Sequence, residues 1–93
     1  MTIKKIMCCC GQGLGSSMII RMNVEKALKK MGKNGIDVQH ASLSDVTPSS
    51  ADLFVVGGDL QEFTHNFPHI ILLSNIVSLP ELEEKLKKVF EEE

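Results

Sequence analysis

Apolar residues fall into two kinds of pattern along this chain. Short, largely apolar runs, Ile3–Cys10, Leu53–Val56 and Ile70–Leu73, are too short for helices and read as strands; the first two close at glycine. Ile36–Leu43 is a weaker stretch of the same kind and reads as a further strand, second in chain order. The other pattern is helical. From Ser16 to Met31, the residues Ile20, Val24, Ala27, Leu28 and Met31 fall on one face. Arg21, Glu25 and Lys29 fall on another, with Glu25 and Lys29 spaced as an i,i+4 ion pair. Lysines gather near the end of this helix, which suits its dipole, and Gly32 or Gly35 stops it. A second helix starts near Ser78, which forms a capping box with Glu81. Pro80 stands in its first turn, and Leu79, Leu82, Leu86, Val89 and Phe90 form its buried stripe. Ser44–Ser50 is turn chemistry, and Gly58–Asn66 is a loop or a short helix.

The order is therefore β-α-β-β-β-α. The third and fourth strands lack alternation, as in a sheet covered on both faces. This predicts an α/β fold, a three-layer sandwich around a four-stranded parallel sheet. Right-handed crossovers and a switch point beside the first strand place the strands 2-1-3.

A length of 93 residues suits a single domain spanning 1–93, without repeats or linkers, and a hydrophobic fraction of 43% is enough for one core. No apolar run reaches the ~20 residues of a membrane span, and Met-Thr-Ile-Lys-Lys leads into no secretory signal, so a cytoplasmic protein is expected. A net charge of −2, with neither Trp nor Tyr, speaks against nucleic acid as a partner. The lysines of 26–33 read as a solvated helix face and end, and the final Glu91-Glu92-Glu93 as a frayed helix end.

The candidate chemistry sits at the end of the first strand. All three cysteines, Cys8, Cys9 and Cys10, are contiguous there. Such a clump suits neither a disulfide framework nor a zinc site, and His40, His65 and His69 bear no ligand spacing to it, so no metal and no cofactor is expected. Cys10 runs into Gly11-Gln12-Gly13-Leu14-Gly15, and Ser16-Ser17 then opens the helix. Glycines let successive N–H groups curl around one point, and the helix N-terminus adds free N–H groups and partial positive charge. Gly11 to Ser17 thus predict a phosphate-sized anion cradle, to which the two serine hydroxyls can also donate. Cys10 lies at its rim, where the same field favours thiolate, a nucleophile for phosphoryl transfer. Cys8 and Cys9 point to opposite faces of the strand and read as packing residues.

Other glycine-loop chemistries fit less well. The dinucleotide pattern G-x-G-x-x-G is not met, because Ser16 stands where the third glycine belongs, and Asp45 is a forced choice for the ribose-binding acid. No lysine follows the loop as a nucleotide-binding P-loop needs. Low-molecular-weight tyrosine phosphatases and related arsenate reductases share this β-loop-α architecture but need C-x5-R. Counted from Cys10, Cys9 and Cys8 the arginine position holds Ser16, Gly15 and Leu14, and Arg21 lies well into the helix.

The segment Cys10–Leu28 resembles the IIB components of the bacterial phosphoenolpyruvate-dependent sugar phosphotransferase system, in the ascorbate- and galactitol-like group. Their signature is C-G-x-G-x-G-S-S-M, matched by Cys10, Gly11, Gly13, Gly15, Ser16, Ser17 and Met18. Ala51–Gly57 and Leu72–Leu86 are similar, more loosely, to the family's third strand, fourth strand and last helix. The resemblance implies a single IIB domain with flavodoxin-like topology, the fourth strand completing the order 2-1-3-4. It implies a relay in which Cys10 takes a phosphoryl group from phosphohistidine on a IIA partner. The group then passes to a sugar held by a IIC membrane permease, with which the chain associates peripherally, without inserting into the membrane. Docking is expected around Cys10, with Leu14 and Met18 as apolar contacts. Two features depart from the family pattern: the cysteine is the third of three, and Asp59 follows the third strand where a Ser-Thr-His-like stretch is expected. The alternatives are a cysteine-dependent phosphatase or arsenate-reductase relative and a regulatory IIB-like binding module.

Overall fold

The computed structural model describes residues 3–10, 14–64, 67 and 69–92, with the backbone alone for Cys10, Leu14, Gly15, Ser16, Leu43, Asp59, Gln61 and Phe63. Four strands, β1 (Lys5–Cys10), β2 (Asp37–Ser42), β3 (Leu53–Gly57) and β4 (Ile70–Leu73), form one sheet ordered β2-β1-β3-β4. Every neighbouring pair is parallel. This is the expected α/β fold with the expected strand order.

Helix α1 (Leu14–Lys30) and helix α2 (Leu79–Glu91) both pack on one face of the sheet. There Ile20, Val24, Ala27 and Leu28 of α1 and Leu82 and Leu86 of α2 bury against Ile6, Cys8, Leu53, Val55, Ile71 and Leu73. Met31, Leu79, Val89 and Phe90 pack partly buried around that core, so both predicted helical stripes face the sheet. The other face carries Met7, Cys9, Phe54 and Val56, covered by Leu60 and Phe67 and by the segment holding Val46 and Ala51. Phe54 and Phe67 meet edge to face, with ring centroids 4.6 Å apart. That third layer contains no α-helix among the described residues. The stretch after β3, expected as a loop or short helix, is a 3-10 helix over Gly58–Phe63, and another 3-10 turn, Leu43–Asp45, follows β2. β3 is buried along its whole length, which explains its unbroken apolar sequence.

The helix ends depart from the sequence reading in instructive ways. α1 stops as expected at Gly32, whose φ of +74° only glycine adopts freely. Lys33 N donates to Leu28 O and Gly32 N to Lys29 O, the paired bonds of a Schellman cap. At α2, Ser78 caps the helix and accepts from Glu81 N. Glu81 does not return the bond to the cap residue. Its carboxylate instead accepts from Ser74 N at 2.8 Å and Asn75 N at 3.0 Å, holding the turn that leaves β4. Lys85 pairs with the same carboxylate at 2.8 Å and also donates to Leu72 O, on the edge strand.

Candidate functional site

The site follows from where β1 stops. The chain leaves β1 toward β2 on one side and returns to β3 on the other, so the switch point of the sheet lies at the carboxyl end of β1. Cys10 is the last residue of that strand and stands in register with Ser42, the last residue of β2. α1 begins at Leu14, two residues earlier than the sequence reading placed it. Leu14 and Gly15, read as loop, therefore belong to the first turn of the helix. Only Gly11, Gln12 and Gly13 separate strand from helix, and they lie outside the described residues.

This shortening changes which groups could form the cradle. The first N–H groups of an α-helix lack intrahelical acceptors, and in α1 these begin at Leu14 rather than at Ser16. No acidic residue stands in that first turn to complement its partial positive charge, whereas Lys29 and Lys30 complement the other end. Ser17 is fully buried under this turn. One turn further out, Met18, Ile19 and Met22 are 49%, 41% and 50% exposed and make an apolar patch on the solvent side of α1, where exposure was expected of Met18.

The three cysteines separate as their positions in a strand require. Cys8 is fully buried on the face that carries the helices, and Cys9 is fully buried on the other. Burial pushes the Cys8 thiol well above its ordinary pKa; the adjacent Cys9 adds to the rise, and the Arg21 charge only partly offsets it. Cys8 is thus a packed thiol, poorly suited to nucleophilic work at neutral pH. The side chains of Cys10 and Ser16, and all of Gly11–Gly13, lie outside the described residues, as does the side chain of Asp59, whose backbone is in the 3-10 helix after β3.

Arg21, expected only on the polar face of α1 with Glu25 and Lys29, reaches across to β2. Its Nη1 lies 3.2 Å from Nδ1 of His40, the β2 residue in register with Cys8. A guanidinium can only donate, so His40 meets it with the tautomer that leaves Nδ1 free to accept. Arg21 Nε sits 3.7 Å from Glu25 Oε1, so the i,i+4 ion pair of α1 is Arg21–Glu25 and not Glu25–Lys29. Sequence reasoning missed this cluster because the four residues Cys8, Arg21, Glu25 and His40 come together only once β2 is placed beside β1. Arg21 is also seven residues past Leu14, about 10 Å along the helix axis. It is engaged there with β2 and does not supply the arginine of a C-x5-R phosphatase loop.

Among the described residues no three His, Cys, Asp or Glu side chains converge as a metal site would require, and no helix is long and apolar enough to cross a membrane. Residues 5–91 match the family described as "PTS system, Lactose/Cellobiose specific IIB subunit". No curated protein matches the chain. The family description names lactose and cellobiose, so the match carries the IIB assignment and gives no support to the ascorbate- and galactitol-like group expected from the signature around Cys10.

Proposed function

We propose that Cys10 is the residue that carries the phosphoryl group in this chain, a member of the IIB family of the sugar phosphotransferase system, whose members work with IIA and IIC partners. The observation that supports this most is the position of Cys10: last in β1, at the switch point, four residues before the start of a helix whose first turn bears no acidic residue. The Cys10 thiolate attacks the phosphorus of phosphohistidine on IIA. The S–P bond forms, the P–N bond breaks with its electron pair going to the imidazole nitrogen, and that nitrogen takes up a proton. Gly11, Gln12, Gly13, Leu14, Gly15, Ser16 and Ser17 hold the resulting phosphocysteine through backbone N–H groups. Neither an arginine nor a general base completes a hydrolytic site in this proposal, so the group stays on sulfur until the sugar on IIC accepts it.

The exposed Met18, Ile19 and Met22 beside the cradle form the apolar part of the face that meets IIA. In this reading the chain is a cytoplasmic single IIB domain over 1–93 that reaches the membrane only through IIC. The acceptor sugar is bound by IIC. The signature Cys10–Met18 resembles that of carriers for ascorbate and galactitol, and uptake of labelled ascorbate, galactitol, lactose and cellobiose by the reconstituted relay separates these acceptors from those named by the matched family.

The decisive experiment is intact-mass analysis and peptide mapping after incubation with a phosphohistidine-bearing IIA protein. One phosphoryl group on Cys10 is expected, with none on the Cys10→Ser variant, which is nearly isosteric and keeps the fold. Phosphate mapped to Cys8 or Cys9, or full acceptance by Cys10→Ser, overturns the assignment.

A further inference from the structure

We propose that the Ser42 hydroxyl, held in place by Ser44, is a direct hydrogen-bond donor to the phosphoryl group on Cys10. This deepens the proposed function and rests on the reading of Cys10 as the phosphorylated residue.

The inference starts from register. β1 and β2 are parallel, and Cys10 pairs with Ser42 as Cys8 pairs with His40. Residues in register on neighbouring strands share a face and stand ~4.8 Å apart, and along one strand every second residue returns to the same face. Cys8 belongs to the face that carries α1, and so does Val38 of β2. Positions 40 and 42 of β2 take that face by alternation, as the contact between His40 and Arg21 of α1 confirms for position 40. The same alternation along β1 gives position 10 the face of position 8. Ser42 therefore stands in register with Cys10, on the same face of the sheet and at the same strand end.

The hydroxyl is also poised to donate. Ser42 is half-buried, and its Oγ lies 3.0 Å from Oγ of Ser44, an exposed residue of the 3-10 turn that closes β2. Each hydroxyl has one proton and two lone pairs. When an anion arrives beside Ser42, Ser44 donates to Ser42 and Ser42 turns its own proton to the anion, so that each donor strengthens the next. In this proposal backbone N–H groups of the first turn of α1 serve the phosphoryl group from the helix side, and Ser42 supplies a donor from the β2 side. A neutral hydroxyl suits a relay, since it steadies the dianion without the lasting grip of a cation.

The test compares Ser42→Thr with Ser42→Val, side chains of equal shape that suit a strand and differ by hydroxyl against methyl, together with Ser42→Ala and Ser44→Ala. Each is equilibrated with a phosphohistidine-bearing IIA protein, and the ratio of phosphorylated to free Cys10 is read by intact mass. The phosphocysteine is titrated by 31P NMR. A hydrogen bond to a charged group is worth about 10- to 100-fold in an equilibrium. The Val and Ala variants should lose about that factor and show a raised phosphoryl pKa, while Thr stays near wild type and Ser44→Ala loses a few-fold, about as a second donor in a chain should. A purely structural role for Ser42 would change thermal unfolding and leave the 31P titration where it was. Equal equilibria and equal titrations for Thr and Val overturn the proposal while leaving Cys10 as acceptor. A wild-type chain that takes no phosphate on Cys10 removes the reading beneath it and the proposal together.

Discussion

The three thiols offer the sharpest test of how the fold divides labour along three consecutive residues of one strand, and alkylation of the native protein reads them one by one. Cys8 and Cys9 are both fully buried. A reagent reaches either only when the structure opens, so the observed rate is the intrinsic thiolate rate multiplied by the opening equilibrium. For Cys8 the cover is α1 itself, through Ile20 and Val24, and α1 carries much of the larger core, so exposing Cys8 amounts to global unfolding. At ~0.05–0.15 kcal/mol per residue, a chain of 93 residues has about 5–14 kcal/mol of stability. Each ~1.4 kcal/mol is a factor of ten, so Cys8 should react at least ~10³-fold more slowly than a free thiol, before its raised pKa is counted. Cys9 lies beneath the layer of 3-10 turns and connecting segments, which can open locally at lower cost, so it should be intermediate. Cys10, at the strand end beside the α1 N-terminus, should react fastest.

The assay is iodoacetamide labelling at neutral pH, quenched over time and mapped by peptide mass, repeated across low concentrations of guanidinium chloride. Cys8 labelling should accelerate with the full denaturant dependence of global unfolding, Cys9 with a shallower one, and Cys10 with almost none. Phosphorylation should protect Cys10 and leave the other two unchanged. Labelling of Cys8 within ~10-fold of Cys10 in the native protein would refute the reasoning, because it would mean that α1 does not seal the strand it covers.

Other outcomes follow from single contacts. Leu86→Ala removes a fully buried side chain where α2 meets the sheet and should cost about 3 kcal/mol; at ~4–8 °C per kcal/mol this is ~12–24 °C in Tm by circular dichroism. Met18→Asp with Met22→Asp, on the exposed patch, should raise the KM for phosphorylated IIA with little change in Tm. Aryl phosphate hydrolysis by the wild type should be slow, since an electrostatic donor such as the missing loop arginine is worth ~10²–10³ in rate; robust turnover would favour the phosphatase reading. Lys85 and the Ser74 and Asn75 amides hold the Glu81 carboxyl down to about 2, and the Lys4 and Lys5 amides lower that of Asp52. Below the ordinary carboxylate range of ~4 the unfolded chain takes up these protons first, so this stabilisation is whole above ~pH 4.5 and is lost as pH falls toward 2. Glu81→Gln should flatten the acid side of a Tm-versus-pH curve and leave neutral behaviour nearly parallel to wild type.

What was legible in the sequence was whatever depends on near neighbours along the chain. The stripe Ile20, Val24, Ala27 and Leu28 and the stripe Leu82 and Leu86 are periodic over a few turns, and the structure buries both. Ile70–Leu73 is bounded by a change of pattern at each end, and β4 has those limits. The opposite-facing burial of Cys8 and Cys9 follows from strand alternation alone. What was missed depends on partners distant in sequence. Glu81 has the spacing of a capping box, and local pattern could not show that two amides of the β4 turn compete for its carboxylate and win. Arg21 lies on the polar face of α1 by its spacing, yet β2 places His40 within 3.2 Å of it. The start of α1 moved by two residues because glycine at position 15 argues locally for a loop, while the helix packed on β1 holds it in its first turn.

Among the described residues, the ends of the sheet differ in how their backbone N–H groups are met. Free backbone N–H groups at strand and helix ends need acceptors, and here the chain supplies several of its own. At the amino end, the Asp52 carboxylate takes Lys4 N at 2.9 Å and Lys5 N at 3.0 Å, fixing β3 beside β1. At the carboxyl end of β4, Glu81 takes Ser74 N and Asn75 N, and α2 carries that same glutamate in its first turn. α1 breaks the pattern: its first turn holds no acid, and it starts four residues after Cys10. An internal carboxylate there would compete with a phosphoryl group and raise the thiol pKa beside it. The first turn of α1 brings no such carboxylate of its own to the dianion that the chain is proposed to carry, and the neutral Ser42 is the kind of side chain that can sit beside such a site without contesting it.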